Sequence, residues 1–116
     1  MLDKTLLEHV VEVVPNHKID QVVVAGGYKV DDIEAYFKEV DVPYDVTIVK
    51  ETEPLGTGGA LGNCRDVVSG PFFCLNGDII SSLDMQVGLD LHKKNGGLGT
   101  IALWEVEDPT LSLIHI

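Results

Sequence analysis

Positive charge is scarce in this sequence: eight Lys and Arg stand against 19 Asp and Glu, a formal net charge of −11. That balance argues against duplex nucleic acid or an anionic membrane as a main partner, because both need a basic face. Apolar runs are short, and none approaches the roughly 20 residues that cross a bilayer. The first residues also lack the pattern of a secretory signal. Cysteine is limited to Cys64 and Cys74, ten positions apart, which matches neither a CxxC pair nor a disulfide framework. Two reduced thiols in a cytoplasmic protein are the expectation. Repeats and low-complexity linkers are missing too. What is present is a globular composition, 45% hydrophobic and 23% charged, over 116 residues, the size of one domain with one core.

The apolar residues fall into an alternating pattern. Leu2, Leu6, Val10, Val13 and Val14 recur at helical spacing and stop at Pro15–Asn16. Val22–Ala25 is a continuous apolar run suited to a strand covered on both faces, ended by Gly26–Gly27. Asp31 or Asp32 can cap a second helix with a stripe of Ile33, Phe37 and Val40. Val46–Val49 reads as the second strand. After a Gly-rich turn, Leu61, Cys64, Val67 and Val68 form a third helical stripe. Phe72–Leu75 reads as a third strand, ending at Asn76-Gly77-Asp78. A fourth helix starts at Ser82 or Asp84, carries Val87 and Leu91, and closes at Asn95-Gly96-Gly97; Thr100–Trp104 is the fourth strand. Strict alternation of helices with apolar strands predicts an α/β layered, mostly parallel sheet.

Two places carry candidate chemistry. In Glu51-Thr-Glu-Pro-Leu-Gly-Thr-Gly-Gly-Ala60, glycines 56, 58 and 59 allow a flat or anionic ligand to approach the backbone, and the next helix offers free N–H groups. A Walker phosphate loop is excluded, because Leu61 stands where its second glycine belongs and no Gly-Lys-Ser/Thr follows. A dinucleotide fingerprint fits partly, through Gly56-x-Gly58 and an acid after the next strand, but Leu61 replaces its third glycine. A plain strand-to-helix connection is the third reading. Asp78 follows a strand's carboxyl end, where open α/β sheets bind ligands. It suits either Mg²⁺, which takes one or two carboxylates plus substrate phosphates, or a simple turn role. His92, Tyr28, Trp104, both cysteines, His9 and His17 are expected to be structural.

Taken together, Glu51–Leu61 and Phe73-Cys-Leu-Asn-Gly-Asp78 resemble the sugar-1-phosphate nucleotidylyltransferase family, in wording closest to its mannose- and heptose-1-phosphate guanylyltransferases. Val24–Tyr28, Ile33–Phe37, Leu91–Lys94, Thr100–Leu103 and Val106–Pro109 extend the match across residues 1–110. The resemblance implies a three-layer α/β/α, Rossmann-like nucleotide-diphospho-sugar transferase fold. It also implies transfer of a nucleoside monophosphate from a nucleoside triphosphate to a sugar 1-phosphate, with pyrophosphate released. Carried over by position, Glu51, Leu55, Gly56, Thr57, Gly58, Asn76 and Gly77 bind the nucleotide. Glu51 reads the base edge and Gly56 lies against the base. Asp78 is the implied catalytic residue and Mg²⁺ ligand. A carboxylate only accepts hydrogen bonds, so Glu51 suits guanine, whose ring N–H and amino group lie side by side; Glu53 competes for that role. A homo-oligomer is compatible with the family. A non-catalytic regulatory relative and a dinucleotide-dependent oxidoreductase are the alternatives.

Two departures accompany the resemblance. The family's first strand, its GxGTR loop and a Pro-Lys-Pro segment do not precede Met1. We therefore expect residues 1–110 to be a partial domain whose sheet lacks its first strand, between the strands at 22–25 and 72–75. Such a chain is expected to be aggregation-prone and inactive alone. Leu111–Ile116 is what CTG TCT CTT ATA CAC ATC, a transposon end used in preparing sequencing libraries, would encode in frame, and is expected to be a non-native tail.

Overall fold

Residues 4–13, 19–103 and 105 are described by the computed structural model, and the apolar runs at 22–25 and 46–49 pair in it. They form β1 (Gln21–Gly26) and β2 (Asp45–Lys50), parallel, in register from Gln21↔Asp45 to Gly26↔Lys50. Parallel strands cannot be joined by a tight turn, so the chain crosses over through a helix, α2 (Val30–Glu39). A further helix, α3 (Gly56–Asn63), returns against β1. These elements belong to one compact unit, Asn16–Leu75. The second unit, Met1–Pro15 with Asn76–Ile116, holds α1 (Leu6–Glu12) and α4 (Met85–Asn95). The α/β class and the parallel pairing agree with the sequence reading.

Local signals explain most boundaries. Thr5 caps α1 through a capping box, its hydroxyl accepting from the Glu8 N–H at 3.3 Å while Glu8 accepts from the Thr5 N–H at 2.7 Å. This start lies one turn later than the stripe from Leu2 suggests. Val10 is the buried member of that stripe among the described residues, which do not include Leu2 and Val14. α4 begins as expected at Asp84, whose carboxylate accepts from the Gln86 N–H at 2.9 Å, and ends at Gly96 (φ 64°). At α2 the expectation fails. Neither Asp31 nor Asp32 is the cap; Lys29, in the left-handed region at φ 52°, takes that place, and both aspartates lie in the first turn. There they still favour the helix dipole.

Three further expectations are corrected. The Gly-rich stretch is not a turn before α3 but its opening, so four of the helix's eight residues are glycine. Their low propensity sums to roughly 3–4 kcal/mol relative to alanine, so packing against β1 has to hold the helix. Residues 72–75 and 100–103 are not strands. Their composition favours extended backbone, but a strand needs a ladder partner, and none pairs with them among the described residues. Finally, Val87 and Leu91 of α4 are at least half exposed rather than buried, as are Ile79 and Ile80; Ile101 is 81% and Leu103 88% exposed. Buried hydrophobic side chains among the described residues are Val10, Val30 and Cys64. Trp104, the Pro15–Asn16 stop, Met1 and the 111–116 tail lie outside the described residues.

Glycines in α3 differ in what they permit. A Cβ at Gly59 would sit 2.7 Å from Leu55 Cβ, whereas one at Gly62 meets nothing within 4 Å. Gly62→Ala is therefore expected to stabilise the chain by about 0.5–1 kcal/mol through helix propensity. Gly59→Ala should lose that gain to the clash and destabilise by about 1 kcal/mol or more. Urea midpoints of the two variants check this; equal shifts would contradict it.

Candidate functional site

The carboxyl ends of β1 and β2 lie level, and the candidate residues of the first unit start from there. Glu51 follows β2 directly, and its N–H donates to the Gly26 carbonyl at 2.9 Å, extending the ladder by one bond. Gly27, leaving β1, passes close by: a Cβ there would lie 3.4 Å from the Glu51 carbonyl oxygen and 3.6 Å from its Cβ. Glu51 is half-buried, and its carboxylate makes no hydrogen bond or ion pair among the described residues. Glu53, its competitor in sequence, is exposed.

Leu55 precedes α3 as its N-cap, with no side-chain cap and no acid in the first turn. The opening N–H groups are thus left for water or a ligand. Gly56 sits at φ 68°, a conformation that a Cβ disfavours by about 1–2 kcal/mol. Thr57 and Gly58 are exposed, and a Cβ on Gly58 would meet nothing within 4 Å. Its glycine has no internal packing reason, unlike Gly59. Glu51, Leu55, Gly56, Thr57 and Gly58 therefore share one connection, at the carboxyl end of the strand pair.

Asn76, Gly77 and Asp78 belong to the other unit. The Ile79 N–H donates to the Asn76 carbonyl at 3.4 Å, so Gly77 and Asp78 are the central residues of a turn. Gly77 faces Leu7, whose Cδ1 lies 3.6 Å from where a Cβ would be. Asp78 is exposed, and its carboxylate has no ion pair or hydrogen bond among the described residues. No group of three or more His, Cys, Asp or Glu suited to a metal occurs among the described residues. His92 is tied structurally, its Nδ1 lying 3.1 Å from the Thr100 hydroxyl. No described helix is long and apolar enough to cross a membrane.

Sequence reasoning passed over a charge cluster beside Glu51. Lys50 Nζ donates to Asp31 Oδ1 and pairs with Glu34 Oε2, both at 2.6 Å, and Lys38 donates to Glu34 Oε1 at 2.9 Å. Asp31, Glu34 and Lys38 recur at i, i+3 and i+7 on one face of α2, a spacing that was readable. The Lys38 and Lys50 ammonium groups pull the Glu34 carboxyl down to about 2, and Asp31 with Glu34 raises Lys50. Burial pushes the Cys64 thiol up, so it is not an activated nucleophile. A groove of about 470 Å³ between α2 and β2, floored by Phe37, Val40 and Ile48, reaches Lys50 but none of the candidate residues.

Comparison with known proteins places this geometry in context. The family model described as Nucleotidyl transferase matches residues 1–111. Mannose-1-phosphate guanyltransferase of Saccharomyces cerevisiae is 35% identical over 115 residues, covering 93% of this chain and 31% of that protein. Mannose-1-phosphate guanylyltransferase 1 of Arabidopsis thaliana is 34% identical, covering 93% and 32% respectively. The mannose-1-phosphate guanylyltransferase catalytic subunit beta of Xenopus tropicalis is also 34% identical, over 93% and 31%. The chain thus spans about a third of the length of these curated relatives. No solved structure matches it.

The charge cluster has a pH signature. Glu34 is expected to titrate near 2 instead of the usual 4.5, so its stabilisation is full above about 4.5 and is lost as pH falls through about 2. Lys38→Ala, which removes the largest contributor, should move the midpoint back towards 4.5. Carboxyl ¹³C titration by NMR measures both, and an unmoved midpoint in the variant would refute the pairing.

Proposed function

Because this chain belongs to the nucleotidyl transferase family, we propose that it serves the transfer of a guanylyl group from GTP to a sugar 1-phosphate, mannose 1-phosphate in the first instance. The observation that carries the reading is the Glu51–Leu61 connection. It sets a carboxylate without a partner among the described residues and an uncapped, glycine-opened helix at the carboxyl end of a parallel pair. The names of the mannose-1-phosphate guanylyltransferase relatives support the choice of base and sugar.

In this reaction an oxygen of the sugar phosphate attacks the α-phosphorus of GTP in line, and the bond to the departing pyrophosphate breaks. Little covalent chemistry falls to the protein, which positions the reactants and offsets their charge. Glu51 accepts from the guanine ring N–H and amino group together, a pattern that uracil and thymine cannot offer. Gly56 and Gly58 let the base and ribose approach the backbone without a Cβ in the way, and Leu55 and Thr57 flank them. Asn76 and Gly77 shape the turn that presents Asp78. The Asp78 carboxylate is exposed, an oxygen donor without a competing partner among the described residues, and so fits Mg²⁺. Bound there with the substrate phosphates, the ion would neutralise phosphate charge. The two thiols and the acidic surface suit the cytoplasm, and the whole protein is proposed to act on these small molecules as a homo-oligomer.

Titration with GTP, UTP and dTTP tests the reading. GTP is expected to bind most tightly, and Glu51→Gln should lower the GTP-to-UTP affinity ratio about ten-fold or more, the worth of a charged hydrogen bond. Tighter binding of dTTP than of GTP by the unaltered whole protein would overturn the assignment. Asp78→Asn should remove the dependence of nucleotide affinity on Mg²⁺; a retained dependence would exclude Asp78 as its ligand.

A further inference from the structure

Lys50 stands where three elements meet the base-reading candidate. Its ammonium is held by two carboxylates of α2, Asp31 and Glu34, each at 2.6 Å. Its carbonyl oxygen accepts from Asn63 Nδ2, the last residue of α3, at 3.4 Å. The next peptide N–H, that of Glu51, is bound to Gly26 of β1 at 2.9 Å. Gly27 passes within contact range of the Glu51 backbone, since even a Cβ there would lie an ordinary 3.4 Å from its carbonyl oxygen. The Lys50–Glu51 peptide is therefore tied to α2, α3 and β1 at once, while the Glu51 carboxylate stays without a partner among the described residues.

A fixed backbone beneath an open side chain is the arrangement that a ligand-reading carboxylate requires. Accepting two adjacent hydrogen bonds from a base edge tolerates only about 0.5 Å of misplacement. A lone exposed ion pair would contribute little to that precision. Two acids one helical turn apart, closing on one ammonium, also restrict the direction of approach of α2 to β2.

Resting on the guanine-reading role of Glu51, we propose that Lys50 is a positioning residue for base selection. Through Asp31 and Glu34 it anchors the end of β2 to α2 and so sets where Glu51 presents its carboxylate. Lys50 touches no ligand in this arrangement; its influence passes through the adjoining peptide. A lysine that served only overall stability would loosen the whole strand pair. One that positions Glu51 acts locally.

Backbone amide hydrogen exchange in the full chain separates the two, paired with affinities for GTP and UTP. Lys50→Met keeps the length of the side chain and removes its charge. It is expected to speed exchange of the Glu51 amide about five-fold, while amides in the middle of β1 and β2 change less than two-fold. The GTP-to-UTP affinity ratio should fall with it, and Lys50→Arg should restore both. An unchanged Glu51 amide, or a uniform rise along both strands, would overturn the proposal. So would a selectivity ratio unaffected by Lys50→Met. An unaltered chain that shows no preference for GTP would instead remove the base-reading role of Glu51, and the exchange pattern would still decide whether Lys50 anchors it.

Discussion

The parallel pairing of β1 with β2 is the constraint from which the surroundings of Glu51 follow. Parallel register sends both chains out at the same end, and the match of Gly26 with Lys50 makes the two exits level. Gly27 and Glu51 are neighbours for that reason alone. The same pairing demands a crossover, which α2 supplies, and its acidic face then lies within reach of the last residue of β2. A tight antiparallel hairpin would have needed no α2 and would have put the exit of β1 at the entrance of β2.

Charge is distributed around this frame in a way that the bulk composition conceals. On α2 two of the four acids are engaged: Asp31 and Glu34 hold Lys50, and Glu34 also holds Lys38. Glu51 and Asp78 have no such partners among the described residues. From Glu51 to His92 the sequence has six acids and a single Arg or Lys, Arg65. A triphosphate and a sugar phosphate cannot be neutralised by that stretch itself, which is why a divalent cation at Asp78 belongs to the proposal. Unpartnered carboxylates that look like a liability in the net charge are the groups that a cation or a guanine edge would satisfy.

Legibility varied with the range of the interaction concerned. β1, β2 and the capping of α4 by Asp84 were readable because an apolar run, a cap and a C-terminal glycine are local signals. The resemblance carried by Glu51–Leu61 and Asn76–Asp78 was readable because it is a pattern of residue types in order, and the family match over residues 1–111 agrees with it. Misreadings occurred where the outcome depended on something distant. Residues 72–75 and 100–103 have strand composition, but pairing is decided by a neighbour. Gly56–Gly59 reads as a turn, but contact with β1 makes it a helix against its own propensity. Asp31 has the chemistry of a cap, yet its carboxylate goes to Lys50, 19 positions away.

By itself the sequence determined the class of the fold, the family, and the residues whose chemistry suits a nucleotide and a cation. Each of these depends on composition, spacing or order along the chain, which no folding is needed to express. The tertiary structure decided which of those residues are held and which are left open. It set Glu51 against Gly27, opened α3 at Gly56 and drew Lys50 into the acids of α2. Contacts such as that of Asp31 with Lys50, 19 positions apart, have no signature in any short window, because they exist only once parallel pairing has brought the two strands together.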